Sequence, residues 1–272
     1  MEPIESNQVK SCCAVLYQSD IARLLLGDSF HPGGIRLTER LAALLDLGPP
    51  HRVLDVACGK GESAIFLAGR FGFEVTGLDF GTENVTQAAR RAAAAGLGNR
   101  ISFQQGDAEQ MPFPSKSFDA VICECAFCTF PEKSRAAAEF ARVLKPAGRL
   151  GLSDLTRSGP LPPDMEGLLA WVACIADALP VNEYVGYLKT AGFENIEIEC
   201  HDEALADMVR DIQGRLLGAE IMVNLKKLAF PGLDITQAKS LLRAAADALR
   251  TRLLGYSLIA ASRDAAGRDE LC

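Results

Sequence analysis

The stretch Arg52-Val53-Leu54-Asp55-Val56-Ala57-Cys58-Gly59-Lys60-Gly61-Glu62-Ser63-Ala64 decides the fold. It passes from a short apolar run, through a turn rich in glycine, into residues 63–71, which have helical character. An apolar run without polar alternation marks a strand covered on both faces. Glycine at the bend lets the backbone turn sharply toward the next element. The unit is strand, turn, helix.

Downstream the alternation repeats. Strand-type runs occupy 74–79, 101–105, 118–125 and 149–154, with helical stretches at 82–95 and 134–144 among them. Strands separated by helices of this length build a parallel sheet with helices on both faces, because right-handed crossovers pack back onto the sheet. Beyond 154 the pattern changes to a proline-containing loop at 155–163, helices at 165–178 and 181–191, and a strand at 194–201. Helical stretches from 203 to about 228 and from 236 to 253 precede a last strand at 255–262.

The expected fold is α/β: a doubly wound, mostly parallel seven-stranded sheet with helices on both faces, an N-terminal helical lid and a helical insertion before the last strand. Residues 1–48 are expected to form the lid and acceptor segment, 49–202 the core, and 203–272 the insertion with the final strand. Within the first segment, apolar positions at 21–26 and 37–47 flank Gly27-Asp28-Ser29-Phe30-His31-Pro32-Gly33-Gly34, whose glycines and proline break a helix. That loop reads as a cover for a ligand or as an ordinary turn between helices.

Bulk properties narrow the function. The chain has 272 residues and a formal net charge of -7, with no lysine- or arginine-rich run. A nucleic-acid partner is therefore not expected, since phosphate contacts need a basic surface. The N-terminus MEPIESNQVK carries two early acids and no apolar segment, and no later run suits a bilayer. A cytoplasmic protein with no membrane partner is expected. Nine cysteines are an odd number, unsuited to a fully paired disulfide framework, so reduced thiols are the simpler expectation.

The glycine turn permits two cofactors, because Gly59-x-Gly61-x-x-Ala64 also fits the degenerate dinucleotide fingerprint. Asp55 at the strand end separates them. A carboxylate there repels a pyrophosphate but accepts a hydrogen bond from an ammonium group, which S-adenosylmethionine has. Asp79 ends the next strand, where an acid reaches ribose hydroxyls. Asp107, in Gly106-Asp107-Ala108-Glu109, stands where an adenine amino group would lie, and no dinucleotide rule asks for it.

Asp55-x-x-Cys58-Gly59-x-Gly61, Gly77-Leu78-Asp79, Gly106-Asp107-Ala108, Ser117-Phe118-Asp119 and Leu144-Lys145-Pro146-x-Gly148 together resemble the motif series of class I S-adenosylmethionine-dependent methyltransferases, over roughly residues 30 to 200. The resemblance implies S-adenosyl-L-methionine as cofactor. It implies contacts from Asp55, Ala57, Cys58, Gly59, Gly61, Asp79, Phe80, Asn84, Gly106, Asp107, Ala108 and Glu124, with Tyr17, Gly33 and Thr38 contributing from the lid.

The fourth strand runs into Cys123-Glu124-Cys125-Ala126-Phe127-Cys128-Thr129-Phe130-Pro131-Glu132-Lys133, and strand ends in this fold open toward the ligand. Period two puts Cys123 and Cys125 on one side of a strand. Cys174 follows in Trp171-Val172-Ala173-Cys174, expected on a helix. Here the chain resembles arsenite methyltransferases, whose strand-four cysteine before a proline-acid-lysine turn matches Cys125 and whose tryptophan-x-x-cysteine segment matches Cys174. That family also uses N-terminal cysteines, to which Cys12 and Cys13 correspond.

The resemblance implies trivalent arsenic held by Cys12, Cys13, Cys125 and Cys174, with its lone pair in line with the sulfonium methyl. Soft thiolates select soft centres generally. Phe127, Phe130 and Trp171 are candidates for a dry wall. Glutathione or thioredoxin is an expected reductant. Packing or backbone duty is the expected role of Cys123, Cys58 and Cys200. Cys123-x-Cys125-x-x-Cys128 is also a thin zinc candidate, although structural zinc takes four ligands. The alternatives to arsenic are a small organic acceptor, such as a quinone precursor, amine or acid, or a non-catalytic thiol module binding a metalloid.

Overall fold

Strand β1 (Arg52–Val56) lies inside the sheet, hydrogen-bonded in parallel to β2 (Glu74–Asp79) on one side and to β4 (Phe118–Glu124) on the other. Val53, Leu54 and Val56 are fully buried, which is why this stretch reads as unbroken apolar sequence. The structure, a computed structural model, describes residues 27, 30–162, 165, 174–224 and 234–265.

The full sheet has seven strands in the order β3-β2-β1-β4-β5-β7-β6, where β3 is Ile101–Gln105, β5 Leu144–Arg157, β6 Phe193–Cys200 and β7 Leu254–Arg263. β1 to β5 are parallel, and β7 runs antiparallel between β5 and β6. The doubly wound, mostly parallel architecture expected from the sequence is present.

The chain moves outward from β1 through β2 to β3 and then returns to β4 on the other side. The order thus reverses between β1 and β4, and a reversal of this kind opens a crevice at the carboxyl ends of the two strands. Register keeps those ends level: Val56 lies opposite Leu78 in β2 and Cys123 in β4. Asp55, Asp79 and Glu124 therefore arrive at one edge.

Helices α1 (Gly34–Leu44), α2 (Glu62–Phe71), α3 (Thr82–Ala94), α4 (Lys133–Val143) and α5 (Val181–Thr190) cover the sheet through apolar faces such as Leu37, Leu41 and Ala42 on α1. α1 sits close on β5, where a side chain at Gly151 would meet Leu41 and Leu45 at 3.0 Å. Between β6 and β7 come α6 (Asp202–Asn224) and α7 (Ile235–Arg250), packed on each other and on β7. Asp234 caps α7, its carboxylate accepting from the Gln237 N–H. Among the described residues no helix is long and apolar enough to cross a membrane.

Two expectations need correction. The loop expected to start at Leu155 starts later, because β7 pairs with β5 as far as Arg157 opposite Leu254. The helix expected over 165–178 does not include its last residues: Cys174 to Ala178 form turns, and Cys174 has φ 61°, outside the right-handed helical region. Apolar composition alone did not distinguish a helix from a packed turn.

Candidate functional site

At the carboxyl end of β1 the chain enters a turn in which Ala57, Gly59 and Gly61 have φ of 57°, 52° and 76°. Gly61 is required twice over, since a side chain there would also stand 2.7 Å from the Phe103 ring. The turn is closed by the Cys58 N–H donating to Leu78 O (3.0 Å) and the Gly61 N–H donating to Cys58 O (2.9 Å). Two acids flank it.

Asp79 organises the second side. Its Oδ2 accepts from the Gly59 N–H at 2.8 Å, and its Oδ1 accepts from the Gly81 N–H at 2.8 Å and from Asn84 Nδ2 at 3.0 Å. The Gly106 N–H donates to Asp79 O (3.0 Å), and Asp107 Oδ1 accepts from the Glu109 N–H (2.9 Å). These bonds tie the ends of β1, β2 and β3 into one rim.

Glu124 ends β4 and is held by Thr38 Oγ1 of α1 (3.1 Å to each carboxylate oxygen) and by Ser63 Oγ of α2 (2.5 Å). His31 Nε2 stands 3.8 Å from the same carboxylate, with both side chains nearly buried. The loop carrying His31 therefore does lie against the crevice.

These residues enclose one cavity, lined by Asp55, Ala57, Cys58, Gly59, Asp79, Phe80, Asn84, Gly106, Asp107, Ala108 and Glu124, with Phe30 and His31 on the lid side. Thr38 bonds to Glu124 at its wall, Gly61 shapes the turn, and Gly33 caps α1 with φ 74°. Tyr17 lies outside the described residues, as do Cys12, Cys13 and Trp171.

Three buried polar atoms of this cavity lack a hydrogen-bond partner among the described residues: Asp55 Oδ2, Asn84 Oδ1 and His31 Nε2. An unpaired buried polar atom costs about 1–3 kcal/mol, so the cavity is built for a ligand that satisfies them. Charge says which kind. Burial, then Glu124, then Asp79 push the Asp55 carboxyl well above its ordinary value, and burial also raises Asp79 against its hydrogen bonds. Acids crowded in this way favour a cationic guest, and one bearing an ammonium and a sulfonium fits the donor set.

The other half of the crevice has different chemistry. β4 ends at Glu124, and Cys125 follows with φ 52°, its N–H donating to Ser153 O at 2.6 Å. The period-two relation expected between Cys123 and Cys125 stops there: Cys123 is fully buried in the core, whereas Cys125 lines the cavity. A 3-10 turn, Phe127–Thr129, comes next, and its Cys128 N–H donates to Asp154 Oδ2 at 2.8 Å.

Cys174 meets this turn. Its Sγ donates to Cys125 O at 3.4 Å, and its thiol hydrogen-bonds the thiols of both Cys125 and Cys128. The bond to Cys174 first, and burial second, push the Cys125 thiol well above its ordinary range; for Cys128 burial leads. Burial, with Cys174 beside it, pushes the Asp154 carboxyl up to about 7. Burial thus favours the protonated form of Cys125 and of Cys128, and among the described residues no three His, Cys, Asp or Glu side chains stand ready as metal ligands.

Cys125 and Cys174 are thus brought together, as the sequence argument required. Cys128 was missed as a neighbour because its only signal was its spacing from Cys125. Phe130 lines the cavity together with Ala126 and Thr129, but Phe127, expected in the wall, is fully buried against Phe130, Phe140, Tyr184 and Tyr187. Cys58 lines the cofactor side, and Cys200 is exposed at the end of β6.

Fold and cavity define a doubly wound α/β domain with an acid-lined ligand cavity at its switch point. Comparison with known proteins gives the family. Residues 53–148 match the family model described as a methyltransferase domain. The chain is 32% identical over 191 residues to 27-O-demethylrifamycin SV methyltransferase of Amycolatopsis mediterranei, covering 65% of this chain and 70% of that protein. It is 30% identical over 187 residues to arsenite methyltransferase of Halobacterium salinarum, covering 66% of this chain and 48% of that longer protein. The fold is shared with phosphoethanolamine N-methyltransferase 2 of Haemonchus contortus solved with S-adenosyl-L-methionine: TM-score 0.78 at 18% identity, over 97% of this chain and 61% of that one. The chain belongs to the class I S-adenosylmethionine-dependent methyltransferases, and S-adenosyl-L-methionine is its cofactor.

Proposed function

We propose that this methyltransferase acts on trivalent arsenic, as arsenite or methylarsenite, held by Cys125 and Cys174. The observation that carries the proposal is the contact of Cys174 Sγ with Cys125 O, beside the cavity that Cys125 lines, although the two residues come from segments 49 residues apart. The likeness to a named arsenite methyltransferase supports it.

The raised pKa of the Cys125 thiol suits this acceptor. Arsenic hydroxide exchanges with a neutral thiol: the As–O bond breaks, an As–S bond forms, and the thiol proton leaves with the hydroxide as water. No free thiolate has to persist in a buried, acid-rich pocket, where burial disfavours one. Sulfur ligation leaves the arsenic lone pair available, so no general base is needed, unlike for a hydroxyl acceptor.

S-adenosylmethionine, when bound, supplies a methyl group on a positively charged sulfur. Asp55 would take its ammonium and Asp79 its ribose hydroxyls, while Glu124, fixed by Thr38 and Ser63, lines the same cavity. The thiols fix the arsenic on the line of approach, and holding two reactants in this relation supplies much of the rate. Phe130 and Phe30 exclude water. The methylated arsenic leaves pentavalent, so turnover draws on a thiol reductant such as glutathione or thioredoxin. The test is chromatographic speciation of arsenic after incubation with arsenite, S-adenosylmethionine and glutathione. Methylated arsenic is expected with the wild type and not with Cys125→Ser or Cys174→Ser, and its absence with the wild type overturns the proposal.

A second acceptor class, a small organic hydroxyl compound, is favoured by His31. Its Nδ1 faces Pro32 O at 3.4 Å, which leaves Nε2, 3.8 Å from the Glu124 carboxylate and without a hydrogen-bond partner among the described residues, on the cavity side. A tautomer with the proton on Nδ1 gives Nε2 a free lone pair, as a general base needs. On this reading His31→Ala abolishes turnover of such an acceptor while Cys125→Ser leaves it unchanged.

A further inference from the structure

Methyl transfer from a lone pair needs no base, but loading the acceptor moves a proton. When an arsenic hydroxide exchanges with a thiol, the thiol hydrogen has to reach the departing hydroxide. A side-chain base on the cavity wall carries it faster than an uncatalysed exchange does.

Of the three histidines in the chain, His31 lines the cavity. Its side chain is only 9% exposed. The contact of Nδ1 with Pro32 O at 3.4 Å selects the tautomer with the proton on Nδ1, which puts the lone pair on Nε2. Nε2 has no hydrogen-bond partner among the described residues. The other two rings are engaged elsewhere: His51 Nδ1 accepts from the Gly48 N–H at 3.0 Å, and His201 Nε2 stands 3.3 Å from Glu199.

The surroundings hold this ring in place and give it a counter-charge. The Gly34 N–H donates to His31 O at 3.2 Å, and Gly33 packs so closely on Leu37 that a side chain there would collide with it. The Glu124 carboxylate lies 3.8 Å from Nε2 and is itself fixed by the Thr38 and Ser63 hydroxyls. A carboxylate at that distance favours the charged form of an imidazole. Glu124 is also the residue before Cys125, which lines the same cavity with its N–H fixed on Ser153 O. Asp79, by contrast, has both oxygens engaged by the N–H groups of Gly59, Gly81 and Asn84.

We propose that His31 carries the proton when arsenic is loaded: Nε2 takes the hydrogen of the Cys125 thiol, directly or through one water, and gives it to the departing hydroxide. The S–H and As–O bonds break, the As–S bond forms, and water leaves. The imidazole is neutral before and after, and Glu124 offsets its charge in between. This rests on the arsenic proposal and deepens it. A proton carrier speeds loading and release by the same factor, so it changes the rate of exchange and leaves the equilibrium affinity as it was.

Stopped-flow absorbance of the As–S bond, with the full chain and arsenite alone, reads the loading rate, and titration of the same signal reads the affinity. His31→Ala is expected to load about 100-fold more slowly, the lower end of what general acid-base catalysis contributes, at unchanged affinity. Imidazole added to the buffer is expected to restore the rate of His31→Ala and to leave the wild type as it was, a response that loss of a merely structural side chain does not give. An unchanged rate in His31→Ala, a slow rate that imidazole does not restore, or an affinity that falls with the rate overturns the inference. The arsenic proposal survives each of these results, because the adduct still forms. No adduct with the wild type removes the arsenic proposal and the inference with it. Should His31→Ala not fold, His31→Gln decides: slow loading at unchanged affinity supports the assignment, and an unchanged rate or a parallel loss of affinity overturns it.

Discussion

The two halves of the crevice are built on opposite principles. At the ends of β1 to β3, acids meet backbone N–H groups and one another, and three polar atoms are left without partners among the described residues. Beyond β4 and β5, thiols meet one another beside aromatic rings, and a neighbouring carboxylate, Asp154, is raised toward neutrality. The first half is preorganised for a cation. The second is adaptable, because uncharged thiols tolerate rearrangement at little electrostatic cost, and acceptor identity is decided there.

Variants that strike one half and spare the other test that contrast. The largest effect is expected from Phe127→Ala, which removes a fully buried ring shared by Phe130, Phe140, Tyr184 and Tyr187 beneath the thiol turn. Urea unfolding should show a loss of about 3–5 kcal/mol, the usual cost of truncating a buried phenylalanine. Folded Phe127→Ala should keep S-adenosylmethionine binding and lose the metalloid adduct; equal damage to both would dissolve the contrast.

Asp55→Asn addresses the other half. Calorimetry should show S-adenosylmethionine affinity lowered about 10- to 100-fold, the range for losing one charged hydrogen bond. Arsenite capture, measured as the mass adduct, should be unchanged.

Asp154 gives a pH signature. A carboxyl raised from its ordinary 3.8 to about 7 holds its proton more tightly folded than unfolded. Stability should therefore fall as pH rises from about 4 to about 7, by at most about 1.4 kcal/mol per pH unit for one proton. Asp154→Asn should flatten urea midpoints over that window. Asp55, also raised, contributes the same sign in the apo protein, and saturation with S-adenosylmethionine should remove its share.

The smallest effect belongs to Ser63→Ala, which removes one of the hydroxyls holding Glu124 while Thr38 remains. Cofactor affinity should drop by about tenfold or less, as expected for a single hydrogen bond of about 1 kcal/mol. An unchanged affinity would show that Glu124 is positioned by Thr38 alone.

Much of the cofactor half was legible in the chain because strand ends and glycine turns are local features. Asp55 and Asp79 are terminal or next to terminal in runs that any helix-strand alternation would identify, and register then brings them to one edge. The acceptor half was less legible. Cys174 was expected on a helix and lies in a turn, Cys123 and Cys125 were expected on one side and are parted by the end of β4, and Phe127 went to the core. His31 was visible only as part of a glycine-proline loop, and nothing in its spacing announced that Nε2 would face Glu124.

By itself the sequence determined the doubly wound, mostly parallel sheet and the kind of cofactor, since burial pattern and strand-end chemistry are written in consecutive residues. Only the tertiary structure decided which thiols are neighbours. Cys174 meets Cys125 because a packed turn 49 residues further along the chain converges on the end of β4, and long-range packing of that kind leaves no periodic trace in the chain.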